Sequence, residues 1–178
     1  MSIRIIITGG TFDKEYDELK GELAFRDTHL PEILRRVRCT VPVELEINQL
    51  VDSLEMRQSN RRAILEACSA APEDQVIVTH GTDTMTETAC LLGRAELPKT
   101  VVLTGAMIPY AFPGSDAVFN LGCAITACSI LRRGVYITMN GRVFAWDEVR
   151  KDAERGVFVY SGSSEGEPRG PERKAGQR

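Results

Sequence analysis

Two glycine turns in this sequence carry threonine: Thr8-Gly9-Gly10-Thr11 and His80-Gly81-Thr82-Asp83-Thr84. A threonine hydroxyl is a weak nucleophile at neutral pH and attacks a carbonyl carbon only with a base beside it. Thr82 is followed directly by the carboxylate of Asp83, and Lys151 stands far downstream in Val149-Arg150-Lys151-Asp152. An amine moved out of water holds its proton less tightly, so a desolvated Lys151 could draw the proton from Thr82. Backbone N–H groups of the two turns could hold a developing oxyanion, where one lost donor costs about 3 kcal/mol. Two hydroxyls, an amine and fixed donors make a set suited to acyl transfer. The same residues have plainer uses: Thr82 and Thr84 suit a helix start, and Gly9-Gly10 suits a tight first turn.

Such residues need elements to hold them. Each turn follows an apolar β-branched run, residues 3–7 and 76–78. Further strands are expected at 43–47, 100–103 and 135–139, with helices at 31–37, 57–70, 84–95 and 116–131. Strands alternating with helices imply a three-layer αβα, Rossmann-like domain with a mainly parallel sheet. Right-handed crossovers would gather the strand ends at one edge, where open α/β sheets bind ligands. Pro31 and Ser115-Asp116 read as helix starts, and Gly134 as a stop. The polar stretch 12–28 is too long for an ordinary βα loop and reads as a lid. The domain is expected over 1–159, and the Gly-, Ser- and Pro-rich tail 160–178 is expected to be disordered.

Composition narrows the partners. A net charge of −3 supplies no basic field for nucleic acid or an anionic membrane. Arg35-Arg36-Val37-Arg38 and Arg132-Arg133 are local clusters at helix ends, where cations complement the dipole. Five cysteines form no CxxC pair, and two histidines cannot assemble a zinc set, so no metal is expected. No apolar run reaches the roughly 18 residues of a membrane span, and 5–7 is too short for a signal sequence. A cytoplasmic, reducing setting is the expectation.

These motifs resemble the L-asparaginase/glutaminase family, the bacterial-type amidohydrolases with threonine nucleophiles. The resemblance lies in Ile7-Thr8-Gly9-Gly10-Thr11, in Thr79-His80-Gly81-Thr82-Asp83-Thr84-Met85 with Glu87-Thr88-Ala89, and in Leu103-Thr104-Gly105-Ala106-Met107 followed by Ser115-Asp116-Ala117 and Phe119-Asn120-Leu121. It covers about residues 3–159 and implies the fold of the family's amino-terminal domain. It implies Thr11 as the nucleophile on a side-chain amide carbon, and Thr82, Lys151 and Asp83 as a second catalytic group. It further implies Asp83 at the substrate's α-ammonium, Ser53 at its α-carboxylate, the Ala106 carbonyl at the leaving nitrogen, and Tyr16 as the lid tyrosine. His80 reads as a structural hydrogen-bonder. The implied reaction, hydrolysis of L-asparagine to L-aspartate and ammonia by acyl transfer through Thr11 or direct displacement by water, needs neither metal nor organic cofactor.

Family members run to nearly twice this length, with a second domain completing a neighbour's site. The sequence is expected to be a short, single-domain form and a homo-oligomer, with Glu15 or Glu18 standing in near the α-ammonium. Three alternatives stay open: a glutamine-preferring hydrolase, a non-catalytic amino-acid-binding module, and an amidotransferase component passing ammonia to a partner. A one-methylene difference in substrate is worth only about 1–3 kcal/mol, so the sequence does not choose between asparagine and glutamine.

Overall fold

The computed structural model describes residues 2–162. Strand β1 (Ile3–Gly9) is apolar on both faces and lies inside a six-stranded sheet. Parallel partners flank it: β4 (Val43–Val51) on one side and β5 (Gln75–Thr79) on the other. Beyond β5 lie β6 (Thr100–Thr104) and β7 (Gly134–Met139), both parallel, and then β8 (Arg142–Ala145), antiparallel. The order is β4-β1-β5-β6-β7-β8. All five expected strands are present. β4 runs on to Val51 through Asn48 and Gln49, because an edge strand can leave polar side chains half-exposed.

Period-two alternation divides the core. Ile3, Ile5, Ile7 and Ile77 pack with α1 (Leu30–Arg36) and α4 (Ala117–Ile130). Ile6, Val76 and Val78 pack on the other face with α2 (Gln58–Ala70) and α3 (Met85–Arg94). The expected three layers follow.

The crossovers do not all share one hand. From β1 to β4 the chain steps one way across the sheet through α1; the three later crossovers step the opposite way. Reversing both direction and face preserves the hand, so α1, α2 and α3 agree. α4 steps in the same direction as α2 and α3 but on the opposite face, and its crossover has the opposite hand. The uniformly right-handed wiring expected from the sequence is therefore corrected at β6–α4–β7. What replaces α4 on the α3 face is a two-stranded ribbon, β9 (Val149–Asp152) with β10 (Val157–Tyr160). Its Val149 and Phe158 are buried in the α3-side core.

Residues 12–28, expected as a long polar loop, hold regular structure. A single 3-10 turn (Thr11–Asp13) leads into a hairpin of β2 (Lys14–Asp17) and β3 (Glu22–Phe25), hereafter the flap. β7 and β8 join through Asn140-Gly141, both at positive φ, the two-residue turn that fits strand twist. The expected cap at Asp116 is also corrected. Its carboxylate accepts from the N–H groups of Met107 and Ile108 and from the Asn120 side chain, and the Ala117 N–H that opens the helix donates to Ser115 Oγ instead. Tyr160 closes β10 and the Ser161 N–H reaches the Glu148 carbonyl, so the chain is in regular structure to that point. The expectation for the rest of the tail, residues 163–178, lies outside the described residues. No helix among the described residues is long and apolar enough to cross a membrane.

Candidate active site

The order of the parallel strands puts a topological switch point between β1 and β5, since the chain leaves β1 in one direction and builds β5, β6 and β7 in the other. Ligands of open α/β sheets bind in the crevice at the carboxyl ends of such a pair. Both threonine turns emerge there. They meet backbone to backbone: a Cβ on Gly10, at φ +77°, would lie 2.3 Å from the Gly81 nitrogen. On Gly81 it would lie 2.5 Å from Ser53 Oγ. Glycine at these two positions lets the turns and the Ser53 loop close on each other.

The second turn is held from several sides. Thr84 does not cap α3; its hydroxyl donates to the Ser53 carbonyl at 2.8 Å. The buried His80 ring donates from Nδ1 to the Gly81 carbonyl (2.8 Å) and accepts at Nε2 from the Thr88 hydroxyl (2.8 Å). Burial pushes its pKa down to about 4, so the ring is neutral. Both ring nitrogens are engaged, as a structural role requires. The N–H groups of Gly81, Thr82 and Asp83 have no hydrogen-bond acceptor among the described residues.

Lys151 reaches this turn from β9. Its ammonium donates to Thr82 Oγ1 at 2.8 Å and to Asp83 Oδ1 at 2.7 Å. Hydroxyl, amine and carboxylate, separated by almost 70 residues in the chain, thus form one hydrogen-bonded group. When Lys151 is unprotonated, the same contact can accept the hydroxyl's proton. Thr11 is half-buried at the start of the 3-10 turn beside Gly10. Ser53 is 1% exposed, and its Oγ lacks a partner among the described residues. A buried unpaired hydroxyl is costly unless a ligand or water satisfies it. Ala106 is buried in the third turn, behind β6.

Tyr16 sits on the flap at 57% exposure, with no hydrogen bond to Thr11 among the described residues. Glu15 pairs with Arg26 at 3.1 Å on the opposite flap face from Lys14. Sequence reasoning misses Lys14, whose ammonium pairs with Asp52, beside Ser53. Burial would raise the Asp52 pKa, but the Lys14 hydrogen bond, the Leu54 N–H and the Lys14 charge together hold it below the usual value. It also misses the tie that Asn120 and Asn140 make between the third turn and the β7–β8 turn, for which Asn140-Gly141 is the available signal. A separate cleft of about 590 Å³, lined by Arg36, Tyr110 and Phe112 among others, contains none of the candidate residues.

Among the described residues, no three His, Cys, Asp or Glu side chains are grouped to hold a metal ion. Fold and site together define an α/β domain with a hydroxyl–amine–carboxylate group at a sheet switch point. Comparison with known proteins makes this specific. Residues 2–162 match the family model described as Asparaginase, N-terminal, and the chain belongs to the asparaginase family. It is 32% identical over 165 residues to an L-asparaginase of Bacillus licheniformis, covering 84% of this chain and 49% of that protein. It is 34% identical over 148 residues to a glutamyl-tRNA(Gln) amidotransferase subunit of Archaeoglobus fulgidus, covering 78% of this chain and 34% of that one. Among solved structures, the thermostable L-asparaginase from Thermococcus kodakarensis superposes with a TM-score of 0.79 at 28% identity, over 90% of this chain and 51% of that one. The chain thus spans about a third to a half of the length of these relatives.

Proposed function

We propose that this domain is an amidohydrolase that converts L-asparagine to L-aspartate and ammonia. The observation that carries the reading is the Lys151–Thr82–Asp83 group against the paired glycine turns. In this reading the Thr11 oxygen attacks the side-chain amide carbon. Its proton passes by way of Thr82 to unprotonated Lys151 and on to the departing nitrogen. The C–N bond breaks, ammonia leaves, and water cleaves the resulting ester to regenerate Thr11. The free N–H groups of the second turn face the oxyanion, Ser53 Oγ the α-carboxylate, Asp83 the α-ammonium, and the Ala106 carbonyl the leaving nitrogen. Tyr16 joins when the flap closes. Hydroxyls, an amine and fixed donors suffice, without metal or organic cofactor.

The domain works in the cytoplasm as a homo-oligomer in this proposal. The amidotransferase relative favours a second reading, in which the ammonia is released to a protein partner. Ammonia release from L-asparagine, L-glutamine and D-asparagine tests both. Turnover of L-asparagine should fall by about a thousandfold or more in Thr11→Ala and Thr82→Ala with the fold intact. Normal turnover in either variant removes the mechanism. Weak activity alone, restored by a co-purifying protein, selects the second reading.

A further inference from the structure

Among the described residues, the ribbon β9–β10 forms no strand ladder with the six-stranded sheet; its two strands pair with each other. Val149 and Phe158 seat its apolar side in the core, and Phe158 is the register partner of Lys151. Apolar burial is not directional and leaves room for sliding. Direction comes from polar ties, and the one opposite Lys151 is made by Asn140. The Phe158 N–H donates to Asn140 Oδ1 at 2.9 Å. A backbone N–H can only donate, which fixes the amide orientation of Asn140.

Asn140 is itself held. Its backbone N–H donates to Asn120 Oδ1 at 3.2 Å. Asn120 Nδ2 donates to the Gly105 carbonyl at 3.0 Å and to Asp116 Oδ2 at 2.8 Å. Asp116 in turn accepts from Met107 and Ile108, so the path begins at the third turn, beside Ala106. Asn120 is fully buried. A continuous chain of hydrogen bonds therefore runs from the turn behind β6, through Asn120 and Asn140, to the residue paired with Lys151. The turn at Asn140-Gly141 needs positive φ at Asn140, which glycine supplies at least as well. The side chain of Asn140 is thus separable from the turn it occupies.

We infer that Asn140 is a positioning residue for Lys151, setting the distance between its ammonium and Thr82 through Phe158. This rests on the reading of Lys151 as the proton-holding group. The test is a double-mutant cycle on ammonia release from L-asparagine, using Asn140→Gly, Lys151→Met and both together, with each variant's urea midpoint measured. Asn140→Gly should lower kcat by about 10- to 100-fold, the size expected for a misplacement near 1 Å, with KM changed by less than about twofold. Asn140→Asp retains an acceptor for the Phe158 N–H and should recover most of the loss. In the Lys151→Met background, Asn140→Gly should cost nothing further, since the group it positions is gone.

The inference is overturned by an equal loss in both backgrounds, by unchanged kcat, or by a loss confined to KM. If Asn140→Gly does not fold, Asn140→Ser, too short to reach Phe158, takes its place in the cycle. Wild-type turnover in Lys151→Met would instead overturn the function proposed for Lys151, a result distinct from any failure at Asn140.

Discussion

Two antiparallel ribbons flank the candidate site, and they are attached in opposite ways. The β9–β10 ribbon is rooted in the core: Phe158 is 2% exposed, Phe144 and Tyr160 meet edge to face at 4.8 Å, and the Tyr160 hydroxyl donates to the Val143 carbonyl. The flap carries several apolar side chains in solvent, with Leu19 91% exposed and Tyr16 and Leu23 also exposed, while Phe25 is half-buried under the Lys14 ammonium. Charge ties the flap to the Ser53 loop through Lys14–Asp52, while Glu15 and Asp17 both pair with Arg26, just past β3, across the hairpin. Apolar burial anchors the first ribbon against the core while polar ties set its direction, whereas exposed and half-exposed ion pairs contribute only about 0–1 kcal/mol each. Lys151, which meets Thr82 Oγ1 at 2.8 Å, sits on the rooted ribbon, and the exposed Tyr16 on the other.

The largest effect that could break this contrast is at Phe158. Phe158→Ala should destabilise the protein by about 3–5 kcal/mol in urea unfolding, because it empties a core position. A cost under about 1 kcal/mol would mean the ribbon is only laid on the surface.

Acid should separate the regions next, with opposite signs. His80 sits in the turn that Lys151 grips, and burial holds its pKa near 4 against about 6.5 when unfolded. Its contribution is complete above pH 6.5 and is lost as pH falls towards 4, on the order of 3 kcal/mol. At the flap base, burial raises the pKa of Asp13 more than the His29 N–H and the Thr28 hydroxyl lower it. Its contribution is therefore present at low pH and lost as pH rises through its raised pKa. Urea unfolding at pH 4 and 7 should show a shallower acid loss for His80→Gln, and a relative gain at pH 7 for Asp13→Asn. Slopes equal to wild type would contradict these assignments.

The smallest expected change in stability is at Lys14. Lys14→Ala should cost less than about 1 kcal/mol, yet speed hydrogen exchange of the β2–β3 amides while leaving β9–β10 unchanged. Unchanged flap exchange would remove the Lys14–Asp52 pair as its tether.

The same contrast explains what the sequence disclosed. Ile5-Ile6-Ile7 and Val76-Ile77-Val78 are buried on both faces, so continuous apolar runs mark β1 and β5, and with them the glycine turns at their ends. The flap strands carry Lys14, Glu15, Asp17 and Glu22 among their eight residues, and β9 is Val149 followed by three charged residues. Half-solvated ribbons leave little periodicity, so these strands are not legible. Lys151 is found by its place in the chain; that it lies on a strand comes only from the structure. The hand of the α4 crossover is hidden for another reason. Most α4 positions are apolar, with Phe119 and Ile130 still exposed, and such a helix does not announce which sheet face it will cover. The Asn-Gly turn before β8 is a legible signal that the strand pattern alone does not use.

That reversed crossover also has a temporal consequence. With α4 on the far side, the wall beside Thr82 is built from chain that emerges some seventy residues after it. A nascent or truncated polypeptide ending before Val149 would display both threonines without the amine, and on the proposed function would be silent. In a chain made from its amino end, the Thr82 hydroxyl therefore waits for the β9–β10 ribbon before its amine partner can dock.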